Sequence, residues 1–164
     1  MEPWRSLALL VAFLGLILSL VAQSTDFWLE AKMPTIAIHF GIWPKSGETV
    51  QDFLHVTETF CVLAALWSLG TVIYLAVTYI PSLTLPLYRF LYSAFSCFLA
   101  ALFMIVAMAV YTAEVSSRSL NPQIQTFFSW SFYLGWVSAG ALLCAGVLSI
   151  VAQFRASRIG YDNM

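Results

Sequence analysis

Four long apolar stretches, Ser6 to Gln23, Phe60 to Ile80, Phe90 to Thr112 and Trp130 to Phe154, contain no Asp, Glu, Lys or Arg. A helix needs about 20 predominantly apolar residues to cross about 30 Å of hydrocarbon. Within lipid every backbone N–H and C=O must find a partner inside the protein, so open strands are not an option there. The chain is therefore expected to be an all-α membrane protein, a four-transmembrane-helix bundle. Composition agrees: 61% of its 164 residues are hydrophobic and 9% charged, too little polar surface to coat a soluble globule. Membrane lipid is the expected surrounding, and no nucleic-acid partner is expected.

The expected division is one membrane domain, 1–164, with spans over 6–23, 58–80, 90–112 and 127–154. The first stretch competes with a signal-peptide reading, because Arg5 precedes a short apolar core and Leu20-Val21-Ala22 resembles a cleavage site. Against that reading, Ala8, Ala12, Gly15, Ser19 and Ala22 recur at steps of four and three residues, one continuous small-residue face. Such a face serves helix packing, within the chain or against a second copy or another membrane protein.

Flanking charge sets the expected orientation. With the N-terminus inside, the inner segments carry Arg5, Arg89, Arg155 and Arg158 against Glu2 and Asp162, a net of +2. The outer segments carry Lys32, Lys45 and Arg118 against Asp26, Glu30, Glu48, Asp52, Glu58 and Glu114, a net of −3. Both termini are expected in the cytosol, and the long segment 24–57 in the lumen or outside the cell.

In that segment Ile36, Ile38, Phe40 and Ile42 alternate with Thr35, Ala37, His39 and Gly41, a period-two strand that Met33-Pro34 turns back on Phe27 to Lys32. A small antiparallel β-sheet is expected there. Thr49 and Asp52 resemble a capping box for the second helix. The inner segment 81–89 is short and the outer segment 113–126, with its turn-forming Asn121-Pro122, is expected to be irregular. The tail is 155–164.

Chemistry-bearing patterns are sparse. Cys61, Cys97 and Cys144 all fall within expected helices and read as apolar core. His39 and His55 lie in the first outer segment, where His55 and Glu58, three apart on a helix, are placed to pair at the membrane interface. No metal-ligand spacing, nucleophile elbow or phosphate loop occurs, so the chain reads as a non-enzyme without cofactors. The densest pattern is Phe127 to Gly140, an aromatic belt of Phe127, Phe128, Trp130, Tyr133 and Trp136. It passes into the small residues Gly135 and Ala139, which permit close helix contact.

Trp130-Ser131-Phe132-Tyr133-Leu134-Gly135-Trp136 resembles the start of the fourth helix in the superfamily of peripheral myelin protein, epithelial membrane proteins, lens fibre membrane protein and claudins. Trp28 followed by Gly41-Ile42-Trp43 resembles that superfamily's first-loop signature, a tryptophan and then Gly-Leu-Trp. Claudins carry two loop cysteines after this signature and the present chain has none, which argues against a tight-junction barrier role. Further stretches, Arg5 to Leu10, Ser24 to Trp28, His55 to Thr57, Val106 to Thr112 and Gln123 to Ser138, resemble a branch of the superfamily found in cytotoxic granules of natural killer and T cells. The resemblance implies a granule membrane protein that promotes regulated exocytosis and target-cell killing through granule or lysosomal membrane partners.

The chain ends in Arg-Ile-Gly-Tyr-Asp-Asn-Met. With the fourth helix expected to stop near Phe154, residues 155–160 form a basic spacer of about 20 Å if extended. Gly160, Tyr161 and Met164 then resemble the tyrosine-based sorting signals of lysosomal membrane proteins. Such peptides add an extended strand to clathrin adaptor complexes, with the tyrosine and the bulky apolar residue in separate pockets. Tyr74 to Val77, Tyr88 to Leu91 and Tyr92 to Phe95 fit the same pattern but lie in or beside expected helices. Two other classes stay open: a claudin-like adhesion or barrier protein, and an accessory subunit of a channel or pump that docks through the Ala8 to Ala22 face.

Overall fold

The computed structural model describes residues 3–45, 51–82, 89–118 and 125–162, with side chains through Ile159. Its elements are α1 (Pro3–Ser24), β1 (Leu29–Lys32), β2 (Ala37–Phe40), α2 (Asp52–Val77), α3 (Arg89–Arg118), β3 (Gln125–Phe128) and α4 (Trp130–Asp162). All four helices are long and apolar enough to cross a membrane. The expected four-helix architecture with an antiparallel sheet is present.

The helices pack as a ring, α1 against α4, α4 against α3, α3 against α2 and, less extensively, α2 against α1. Most of the residues that each buries are small. On α2 these are Thr57, Cys61, Ala64, Ala65, Ser68 and Thr71; on α3, Ser93, Ala94, Cys97, Ala100, Ala101 and Ala107. Large apolar side chains such as Leu10, Phe13, Leu66, Ile73, Phe95 and Leu102 face outward. This inversion of the soluble pattern follows from the solvent: lipid is as apolar as leucine, so helices associate through close van der Waals approach and interhelical hydrogen bonds.

Every neighbouring pair in the ring carries such a bond. Ser138 Oγ donates to the Gly15 carbonyl at 2.8 Å between α4 and α1. Ser93 and Ser149 share one at 3.2 Å between α3 and α4, and Thr71 and Ser96 share one between α2 and α3. Arg5 Nη2 donates to the Thr78 carbonyl at 2.6 Å, joining α1 to the end of α2. A dispersion-packed helix can slide along its neighbour, whereas these directional bonds fix each register.

The helix ends differ from the expected spans because hydropathy marks the limits of lipid, not of the helix. α3 and α4 each extend well past the about 20 residues that cross the hydrocarbon. Glu114 and Arg118 continue α3 through an i,i+4 ion pair at 3.4 Å, and Arg118 Nη1 also donates to Gln51 Oε1 at 2.6 Å. The N-cap of α2 is Gln51, without a side-chain cap bond. Asp52 is thus the first helical residue and not the third, as a Thr49 cap would require; Thr49 itself lies outside the described residues.

The sheet has three strands in the order β2-β1-β3, antiparallel throughout. Leu29 pairs with Phe40 on one side and Phe128 on the other. Residues 125–128 are therefore not the irregular end of a loop running into a helix at 127. They form an edge strand, because β1 offers its second edge and an unpaired strand leaves N–H and C=O groups without partners.

Candidate functional site

The three strands close over one end of the bundle, where an aromatic cluster joins the first and last helices. The last four carbonyls of an α-helix have no intrahelical partner, and two of those on α1 are met by indoles. Trp28 Nε1 donates to the Ala22 carbonyl and Trp43 Nε1 to the Gln23 carbonyl, both at 2.6 Å. The same segment serves α4, whose first N–H groups are equally unpaired: Ser131 N donates to the Phe27 carbonyl at 3.2 Å, and Thr25 and Ser131 share a hydroxyl–hydroxyl bond. Residues 25–28 thus terminate α1 and start α4.

Trp28 is fully buried. Its ring meets Tyr111 edge-on at 5.1 Å and Phe132 at 6.4 Å, and Phe132 stacks on Phe128 at 4.1 Å. Aromatic pairs in these offset and edge arrangements contribute about 0.5–1.5 kcal/mol each beyond area burial. Gly41 is required because a Cβ there would stand 2.6 Å from Asp26 Oδ1 and 2.9 Å from Asp26 Cα. Gly135 places its backbone against Met108, where a Cβ would lie 2.5 Å from Sδ. Trp130 and Trp136 are about half exposed on the outer surface, with Trp130 against Phe27 at 5.6 Å. The structure thus gathers Trp28, Gly41 and Trp43 into one latch, seats Gly135 at the α3–α4 contact and leaves Trp130 and Trp136 facing outward. Tyr111 and Met108 belong to this latch and carried no local sequence signal, since their partners lie more than twenty residues away.

Ala8, Ala12, Gly15, Ser19 and Ala22 are all buried, with Gly15 within van der Waals reach of Leu142 and Ala141 on α4. The face is occupied inside the chain, so an accessory subunit cannot dock through it. Cys61 and Cys97 are buried, whereas Cys144 faces outward and is not core. His39 pairs in register with Glu30 across the sheet, and His55 Nδ1 lies 3.6 Å from Glu58 Oε2.

Beside the sheet a cavity of about 680 Å³ opens among Phe40, Trp43, Phe53, Leu54, Tyr111 and Arg118. Among the described residues that line it there is no paired acid and base and no activated nucleophile. Among the described residues no group of three His, Cys, Asp or Glu side chains is placed to hold a metal ion.

The C-terminal segment departs from expectation. Residues 155–160 are helical, not an extended spacer, and α4 continues through Tyr161 to Asp162. The six-residue reach shrinks to about 9 Å at helical rise. Ser157 Oγ bonds the Gln153 carbonyl at 3.1 Å and Arg155 rests on the Trp4 ring at 5.0 Å, contacts that carry the helix past the end of the apolar run. Met164 lies outside the described residues.

The sequence pattern of the PMP-22/EMP/MP20/Claudin family matches residues 6–149. The chain belongs to that family. It is 51% identical to Protein NKG7 of Homo sapiens over 165 residues, covering 100% of both chains, and 48% identical to Protein NKG7 of Bos taurus over 163 residues, 99% of both. Lens fiber membrane intrinsic protein of Rattus norvegicus is 29% identical over 153 residues, 88% of each chain. As a PMP-22/EMP/MP20/Claudin family member it is a multi-pass membrane protein.

Proposed function

We propose that this chain is a membrane protein of cytolytic granules that promotes granule exocytosis and target-cell killing by natural killer and T cells. The observation that carries this reading is similarity to the NKG7 proteins at about half identity along the whole chain. In this reading both termini are cytosolic, the sheet is lumenal, and the protein reaches the plasma membrane when granules fuse. It acts by binding granule or lysosomal membrane proteins. The apolar latch and the hydroxyl ties between helices supply rigidity and no reacting group, which suits a binding role.

Sorting is assigned to Gly160, Tyr161 and Met164, read by a clathrin adaptor complex. Because adaptors take such peptides as added strands, the last turn of α4 must unwind first. Gly160 favours this: glycine inside a helix costs about 1 kcal/mol relative to alanine, and helix ends fray readily.

The test separates address from activity. N-terminally tagged wild type and Tyr161→Ala are expressed in cytotoxic lymphocytes lacking the endogenous protein, and granule residence and stimulated degranulation are scored together. Wild type in granules with degranulation restored, and the variant at the surface without restoration, is the expected result. Granule residence of Tyr161→Ala equal to wild type removes the sorting assignment, and a granule-resident wild type that leaves degranulation unchanged removes the exocytosis assignment.

A further inference from the structure

All seven Lys and Arg residues are described, and they divide sharply. At the sheet end every cation has a carboxylate: Lys32 with Glu30 at 3.6 Å, Lys45 with Asp26 at 3.2 Å, and Arg118 with Glu114 at 3.4 Å. At the opposite end Arg5, Arg89, Arg155 and Arg158 make no ion pair among the described residues, and Glu2 and Asp162 are not among the described side chains.

Three of these arginines rest on aromatic rings, those of Tyr79, Phe90 and Trp4. Arg5 of α1 lies over Tyr79 at 4.6 Å, and Arg5 and Arg89 of α3 both contact the Phe90 ring, 5.4 and 5.0 Å from its centre, so one phenyl group joins the two guanidinium groups. Arg155 of α4 rests on Trp4 at 5.0 Å, and Trp4 packs in the cluster that contains buried Phe90. A guanidinium lying on a ring keeps its N–H edge directed outward, the geometry for bidentate phosphate binding. Arg5 Nη2 is engaged by the Thr78 carbonyl, while its Nε is buried without a hydrogen-bond partner. Trp4 and Tyr79, amphipathic rings typical of headgroup depth, place the cluster at the level of lipid phosphates.

We propose that Arg5, Arg89 and Arg155 form a binding site between α1, α3 and α4 for a phosphoinositide, a membrane lipid whose headgroup carries phosphomonoesters. Three like charges resting on one packed aromatic cluster repel one another, and an anion lying among them relieves that repulsion. An excess of basic residues on one side of a membrane needs only their presence in that segment. It requires neither a shared ring nor convergence from three helices. A singly charged headgroup balances one guanidinium, whereas a phosphomonoester carries about −1.5 to −2 at neutral pH, so a headgroup with at least one of them beside its diester supplies enough negative charge to balance all three guanidinium groups.

The test places the purified full-length chain in phosphatidylcholine nanodiscs containing phosphatidylinositol bisphosphate, or phosphatidylserine at matched surface charge, and reads retained lipid by native mass spectrometry. Retention of the bisphosphate lipid is expected to exceed that of phosphatidylserine by on the order of tenfold, and Arg89→Gln with Arg155→Gln to lower it by on the order of tenfold. Arg158→Gln, which removes a charge that rests on no ring, is expected to lower it far less. Soluble inositol trisphosphate is expected to compete poorly, lacking the anchoring chains. Equal retention of phosphatidylserine, unchanged retention in the double glutamine variant, an equal loss in Arg158→Gln, or equal binding of the soluble headgroup each overturns the proposal. Should the double glutamine variant fail to fold, Arg89→Lys with Arg155→Lys decides. These substitutions keep the charge and lose the fork, so retention drops severalfold if the site is as described, and unchanged retention overturns it.

Discussion

The indole of Trp28 donates a 2.6 Å hydrogen bond to the carbonyl of Ala22, six residues earlier, and so ends the first helix from within the sheet. The bond is fully buried, and its loss leaves the Ala22 carbonyl with only the long 3.4 Å bond from Thr25 Oγ1. Trp28→Phe keeps most of the aromatic packing and removes the donor. Its expected cost is about 1–3 kcal/mol, against about 3–5 kcal/mol for Trp28→Ala, which also opens a cavity. Unfolding by SDS titration in mixed micelles measures both.

Two glycines with similarly short clearances should respond differently to alanine. At Gly41 the added Cβ meets the Asp26 backbone at 2.9 Å, whereas at Gly135 it meets only the mobile ends of Met108 and Met104. Gly41→Ala is expected to destabilise by about 1–3 kcal/mol through overpacking. Gly135→Ala is expected to stay near neutral, since a methionine rotation is offset by the helix propensity of alanine. Equal losses in the same SDS titration would show that Met108 cannot yield.

Ser138 separates hydrogen bonding from packing at the α1–α4 contact. Ser138→Ala removes the bond to Gly15 and is expected to cost about 0.6 kcal/mol, the average for such bonds in membranes. Ser138→Val adds volume where the helices touch and is expected to cost about 1–3 kcal/mol. A loss from alanine as large as that from valine would mean that the bond outweighs the packing.

Helical continuation through Tyr161 makes adaptor binding sensitive to helix propensity. Gly160→Ala leaves the tyrosine and methionine in place, stabilises the last turn by about 1 kcal/mol and is therefore expected to weaken adaptor binding by about fivefold. Titration of full-length protein in micelles with a purified adaptor subunit reads this directly. Tighter binding by Gly160→Ala would mean that the helix is the recognised form.

The helices and the first hairpin were legible because their causes are local: uninterrupted apolar length, and alternation from Ile36 to Ile42. The facing of that hairpin was not. Of the four alternating isoleucine and phenylalanine residues only Ile42 is fully buried, while Ile36, Ile38 and Phe40 are exposed. β2 is an edge strand lying beyond the rim of the bundle, and alternation reports two faces without saying what stands opposite either. β3 was missed for a related reason. Its four residues carry too short a pattern, and its partner β1 lies almost a hundred residues earlier. The tail was misjudged because charged Arg155 and Arg158 ended the apolar run without ending the helix. Trp28, Gly41 and Trp43 were recognisable as a motif, but the work of the two tryptophans as caps on α1 depends on which carbonyls the chain brings beneath them.

The small-residue face of α1 is matched by α4, and the sheet that α1 leads into is completed by a strand just before α4. A ribosome therefore delivers the first helix into the bilayer long before its mate exists. Until the final quarter of the chain is made, that helix presents an open seam to lipid and to whatever membrane chaperone attends insertion, and β1 lacks its second neighbour. Closure is thus the last event of biogenesis, and a chain cut short before α4 exposes its unmatched first helix to quality control.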